Sequence, residues 1–150
     1  MANSIDGTKI SLSGQQTNDL MYYDGANWVR TAGWHYDIAF IAGFDSDNVA
    51  ENVSVKRYGQ MVMARTGTFE GEAGYIDTQS AGSALICDVE KNGTSIYSTK
   101  PEFAAGASNI TAGVLSTTTF ASGDRITFRV TQIGSGNTGQ GLRFMFNCKV

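Results

Sequence analysis

The sequence predicts an all-β fold of short strands joined by tight turns. Three observations carry that prediction. Apolar residues recur at every second position through most of the chain, and no helical period is sustained over about ten residues. Asn92-Gly93 stands between the alternating runs 84–89 and 94–97, and both residues tolerate the positive φ of a type I′ hairpin turn. Eighteen glycines against one proline supply many further turns.

Residues 1–33 are polar and turn-rich, with Asp6-Gly7, Ser13-Gly14 and Asp24-Gly25. Short β pieces are expected at 9–12 and at 20–23 facing 27–30. They bury too little to stand alone, so 1–33 reads as an arm and 34–150 as the main domain. In 34–41 the even positions Trp34, Tyr36, Ile38 and Phe40 are apolar, and the odd face turns apolar at Ala39 and Ile41. The run 60–65 places Met61 and Met63 on one face, Val62 and Ala64 on the other. A strand apolar on both faces is covered on both. Ala39, Ile41, Met61 and Met63 are therefore expected at a subunit interface, with cover by the N-terminal arm as the alternative. The run 114–120 is rich in β-formers, and Ser122-Gly123-Asp124 turns it into the next strand. In 125–132, Ile126, Phe128 and Val130 point inward. In 142–149, Leu142, Phe144, Phe146 and Cys148 do the same, with Arg143, Asn147 and Lys149 outward. About eight strands after residue 34 fit a β-sandwich or jelly roll.

Composition excludes several classes. The chain of 150 residues fits one core-bearing domain. A net charge of -3 with scattered basic residues gives no footprint for nucleic acid or an anionic membrane. The N-terminus lacks a basic and apolar leader, and no apolar run approaches the ~20 residues of a membrane span. Cys87 and Cys148 both fall in the apolar phase of strands and are expected as buried thiols, a disulfide being the alternative if their strands are neighbours.

Catalytic chemistry finds little support. Gly134-Ser135-Gly136-Asn137-Thr138-Gly139 matches a dinucleotide fingerprint, but it leads into a strand rather than a helix N-terminus, so it reads as a mobile, exposed hairpin connection. The single histidine, His35, has no nucleophile elbow to serve. Asp45-Ser46-Asp47-Asn48 resembles a fragment of a calcium loop but lacks its glycine and terminal glutamate, so a turn is favoured over an ion site. Glu70 and Glu72 read as a solvated face, and Met21, Met61, Met63 and Met145 as core or interface fillers. No catalytic residue, cofactor site or metal site is assigned. Tyr75, Tyr97 and Trp34 would suit a carbohydrate-binding module, although strand burial explains them equally.

One stretch adds a resemblance. Asp19-Leu20-Met21-Tyr22-Tyr23-Asp24-Gly25-Ala26-Asn27-Trp28-Val29-Arg30 resembles a segment of tailed-bacteriophage tail-fibre and virion structural proteins that precedes a C-terminal jelly-roll tip. Residues 82–146 resemble that tip through Gly82 to Val89, Lys91-Asn92-Gly93, Ile96-Tyr97, Ala105-Gly106, Ala121 to Asp124 and Val130 to Gly134. Such domains are similar in fold to the trimeric tumour-necrosis-factor and C1q-like jelly rolls. The resemblance implies a non-enzymatic homotrimer on a virion surface, assembled in the host cytoplasm. It implies attachment to other virion proteins through Tyr22, Tyr23 and Trp28, and binding of a host-cell-surface glycan or protein. Charge and hydropathy, as above, point to no nucleic-acid partner and no membrane insertion. Two alternatives stay open: a trimeric capsid decoration protein, and a carbohydrate-binding module.

Overall fold

In the computed structural model the described residues are 20–23, 25–31 and 33–150. The strand expected at 9–12, and the turns at Asp6-Gly7 and Ser13-Gly14, lie outside them. So do Asp19 and Asp24 of the aromatic segment. The chain divides into two units, residues 1–34 and 35–150. No helix occurs among the described residues, and every paired strand is antiparallel. The expected all-β fold class is what the structure has.

In the first unit β1 (Leu20–Tyr23) pairs with β2 (Trp28–Thr31), and Tyr23 opposite Trp28 closes the hairpin. Gly25, at φ 101°, supplies the left-handed backbone of that turn.

The second unit has two main sheets. One has the order β11-β5-β13-β3, formed by Thr119–Phe120, Gly67–Thr78, Gln140–Lys149 and Ile38–Ala42. The other has the order β4-β12-β6-β7, formed by Arg57–Val62, Arg125–Gln132, Leu85–Lys91 and Thr94–Ser95, with β9 (Glu102–Phe103) also on β6. A small third sheet pairs β8 (Tyr97–Thr99) with β10 (Val114–Leu115).

The inner faces of the main sheets meet in one core, as in a β-sandwich. Phe40 of β3 stacks on Phe128 of β12 at 5.1 Å, and Phe128 lies 4.9 Å from Phe144 of β13. Phe69 bridges Phe120 and Phe146, at 4.9 Å from each. Such offset and tilted aromatic pairs add about 0.5–1.5 kcal/mol each beyond the area they bury. The alternation read in the sequence sets these faces: Ile126, Phe128, Val130, Leu142, Phe144, Phe146 and Cys148 are all buried.

The expected hairpin at Asn92-Gly93 is present. Lys91 pairs with Thr94 across it, and the two turn residues have φ of 53° and 90°. The strand beyond is shorter than expected. It breaks at Ile96, so β7 stays on β6 while β8 leaves for β10. The run 114–120 divides likewise: β10 pairs with β8, and β11 pairs with β5.

Several sequence expectations need correction. Met63 is fully buried in the core, and its backbone accepts from Gly123 N and donates to Asp124 O, both at 2.8 Å. Met61 also packs against the core. Met63 therefore faces inward within one copy and is not a surface candidate, whereas Met61 is half-buried. The strand that carries Met61 is apolar on its outer side only at exposed Val62. Glu72 is not on a solvated face. A bulge opposite Asn147 and Cys148 skips Glu70 in the ladder, and Glu72 pairs with the buried Phe146. There Glu72 accepts hydrogen bonds from the Tyr97 hydroxyl at 2.9 Å and from the Gly113 N–H. The loop 134–139 is held rather than free. Ala81 donates to Asn137 O at 3.0 Å and accepts from Gly136 N at 2.9 Å, and Gly134 and Gly139 are buried.

Candidate interaction surface

The outer face of the sheet formed by β5, β13 and β3 is built by strict alternation. With Ile38 and Ala42 buried inward, Ala39 and Ile41 project outward. Outward phase on β13 gives Arg143 and Met145, and on β5 gives Ala73 and Tyr75. Register lines these up in two rows across the sheet. Ala39, Met145 and Ala73 form one row; Ile41, Arg143 and Tyr75 form the next. The six residues surround a shallow depression of about 440 Å³.

Five of the six are apolar. Ile41 is 57% exposed, Tyr75 47% and Met145 40%, and Ala39 and Ala73 are exposed as well. A contiguous exposed apolar patch of this kind marks an interaction site more often than a bare solvent face. Covering the remaining surface of Ile41, Tyr75 and Met145 is worth on the order of 1 kcal/mol apiece.

Arg143 supplies the one charge in the two rows, and it is already engaged. Its Nη1 donates to Asp77 Oδ1 at 2.6 Å, and its guanidinium lies 4.9 Å from the Phe44 ring centroid. The hydrogen bond to Asp77 holds the guanidinium pKa above its ordinary value. The face is thus electrically balanced, with its ion pair toward one margin.

The outer face of the other sheet differs. Asp88 and Glu90 are buried there beneath cations. Lys100 Nζ is 2.8 Å from Asp88 Oδ2, Arg129 Nη1 is 2.7 Å from Glu90 Oε1, and Arg57 Nη2 is 3.7 Å from Glu90 Oε2. Ser95 Oγ donates to Asp88 Oδ1 at 2.6 Å. Thr127, in the outward phase of β12, is buried among these groups with Gln60 Nε2 donating to its hydroxyl at 2.8 Å. This side carries a charged layer and the other an apolar one.

The remaining sequence candidates are dispersed. Tyr23 is 55% exposed on the β1–β2 hairpin, while the Tyr22 and Trp28 side chains lie outside the described ones. His35 is exposed and forms a backbone bridge with Lys149. Asp45 Oδ1 accepts from the N–H of Asp47 at 2.9 Å and of Val49 at 2.8 Å, so its carboxylate closes a turn. Among the described residues no three or more His, Cys, Asp or Glu side chains gather to hold a metal. Cys87 and Cys148 are free, buried thiols. Of the aromatics suited to a sugar, Tyr97 is buried, whereas Tyr75 and Trp34 are exposed.

Sequence reasoning placed Ala39 and Ile41 at an interface, gave Met145 as a core or interface filler and Tyr75 as suited to a sugar, and did not single out Ala73. The signal for Met145 was present: it occupies the outward phase of a strand whose other outward residues are Arg143, Asn147 and Lys149. No protein-family model matches the chain, and no curated protein matches it significantly.

Proposed function

We propose that this protein is a non-enzymatic surface protein of a tailed-bacteriophage virion, of the fibre, spike or tail-tip type. In this reading residues 1–34 attach it to the particle and residues 35–150 form a homotrimeric jelly roll that binds a host-cell-surface glycan or protein. The observation that supports it best is the division of the chain. The hairpin Leu20–Tyr23 with Trp28–Thr31, which carries the phage-like aromatic segment, belongs to one unit, and the antiparallel sheets form the other. An exposed tyrosine at such a hairpin suits docking, because its ring covers much area for little lost rotamer freedom.

Immunogold electron microscopy of purified virions tests the reading. Label at the tail or its appendages supports it. Label spread over the shell replaces it with capsid decoration, and particles without the protein overturn it.

A further inference from the structure

We infer that the outer face of the β5–β13–β3 sheet is the surface through which copies of this chain meet one another. The inference rests on the self-assembling part of the function proposed above and adds which residues make the contact.

Shape is the first reason. Met145 stands between Ala39 and Ala73 in one row, so each face carries one protruding side chain with a low position on either side. Ile41 and Tyr75 flank Arg143 in the adjoining row. A face with a knob and two sockets is complementary to a copy of itself. In a ring, the β3 half of one copy lies against the β5 half of the next.

Charge is the second reason. The rows hold a single cation, Arg143, already paired with Asp77 at 2.6 Å. Nucleic acid or an anionic lipid surface has no unbalanced cation to contact here, and a charged peptide has no counter-charge. Two copies of the face bring together two Arg143–Asp77 pairs that are each already neutral, so they meet without like-charge repulsion.

Size is the third. A stable contact takes ~800 Å² from each partner, more than six side chains expose. The apolar rows therefore form the dry centre. The Arg143–Asp77 pair and Phe44 at the margin belong to the polar rim that surrounds such a centre.

The test is the solution mass of the full chain, wild type against Met145→Glu and Ala73→Glu, by light scattering at micromolar concentration. The wild type is expected at about three times the 16.0 kDa chain mass. Each folded variant is expected at the mass of one chain, with an unchanged far-ultraviolet spectrum. A folded variant that keeps the wild-type mass overturns this interface while leaving the assembly reading intact. A monomeric wild type overturns both. Should both variants fail to fold, peroxide oxidation of the wild-type protein decides. Met145 is expected to be as resistant as the fully buried Met63, and ready oxidation of Met145 alone overturns the inference.

Discussion

Asn92 Nδ2 donates to Asp124 Oδ1 at 2.7 Å, tying the turn between β6 and β7 to the turn that opens β12. The same Asn92 accepts from Arg125 N at 2.9 Å through Oδ1 and donates its own N–H to Arg125 O at 2.8 Å. Asp124 Oδ2 in turn accepts from Ala121 N at 2.8 Å. Two turns far apart in sequence thus form one corner of the sandwich.

The stability of that corner is expected to depend on pH. The Ala121 N–H, then the Asn92 amide, hold the Asp124 carboxyl below its usual pKa. Because the folded value lies below the unfolded one, the unfolded chain takes up the proton first as pH falls. The stabilisation is present in full above the ordinary carboxylate pKa of ~3.9 and is lost as pH falls through the folded value. Thermal melts of Asp124→Ala against wild type are expected to show a gap at neutral pH that narrows in strong acid. An equal gap at both ends would refute the linkage.

Gly93 tests the turn itself. It sits at φ 90°, and no heavy atom lies within 4 Å of the point a Cβ would occupy, so any loss on substitution is backbone strain and not collision. Gly93→Val is expected to cost more than ~1 kcal/mol, since a β-branched residue resists positive φ. Gly93→Asn is expected to cost less. Urea unfolding of both variants checks the order, and an unchanged midpoint for valine is inconsistent with this turn.

What the sequence discloses here follows from physics that acts within a few residues. Alternation alone located the inward faces of β12 and β13, and Asn-Gly located the hairpin. The longest strand, β5, with 12 residues, was not legible because Gly67, Gly71 and Gly74 interrupt its pattern. At Gly74 a Cβ would crowd the Phe103 ring at 3.0 Å, a contact that exists only after folding. Met63 was misplaced for a related reason. Its run looked apolar on both faces, and only the pairing with β12 shows which side the core takes. Ala73 and Tyr75 became visible as part of the apolar face once register set them beside Arg143 and Met145.

Glu72 joins β5 to Tyr97 of β8 and to Gly113 just before β10. Burial, and next the Glu72 charge, push the Tyr97 hydroxyl well above its ordinary pKa, so it remains a donor to Glu72. Glu72→Ala leaves the Tyr97 hydroxyl and the Gly113 N–H without this acceptor. Each loss is expected to cost about 1–3 kcal/mol. Glu72→Gln, which keeps one acceptor oxygen, is expected to lose less. Equal stability of Glu72→Ala and wild type in denaturant titration would show that the contact contributes nothing.

The two cysteines are expected to be inert in the native protein. Burial, reinforced by the nearby Asp37 and Glu70 charges, pushes the Cys148 thiol up to about 12. Burial beside Asp88 pushes Cys87 up as well. Reactivity follows the thiolate, which is scarce for both at pH ~8. A disulfide-exchange reagent is expected to titrate neither thiol until denaturant is added, and then both. Fast native reaction at either position would contradict the burial described.

The division at residues 34 and 35 yields the last prediction, which concerns attachment. Residues 35–150 contain the two main sheets and their shared aromatic core, whose described members all lie at or beyond Tyr36. Deleting residues 1–34 is therefore expected to leave a protein that still unfolds cooperatively in calorimetry. Under the proposed function the same deletion removes the exposed Tyr23 and the aromatic segment around it. Particles assembled with the truncated chain are then expected to lack it, as judged by gel analysis of purified virions. Normal incorporation of a folded truncated chain would move the attachment site onto the sandwich, where the charged layer of Arg57, Lys100 and Arg129 is the next surface to mutate.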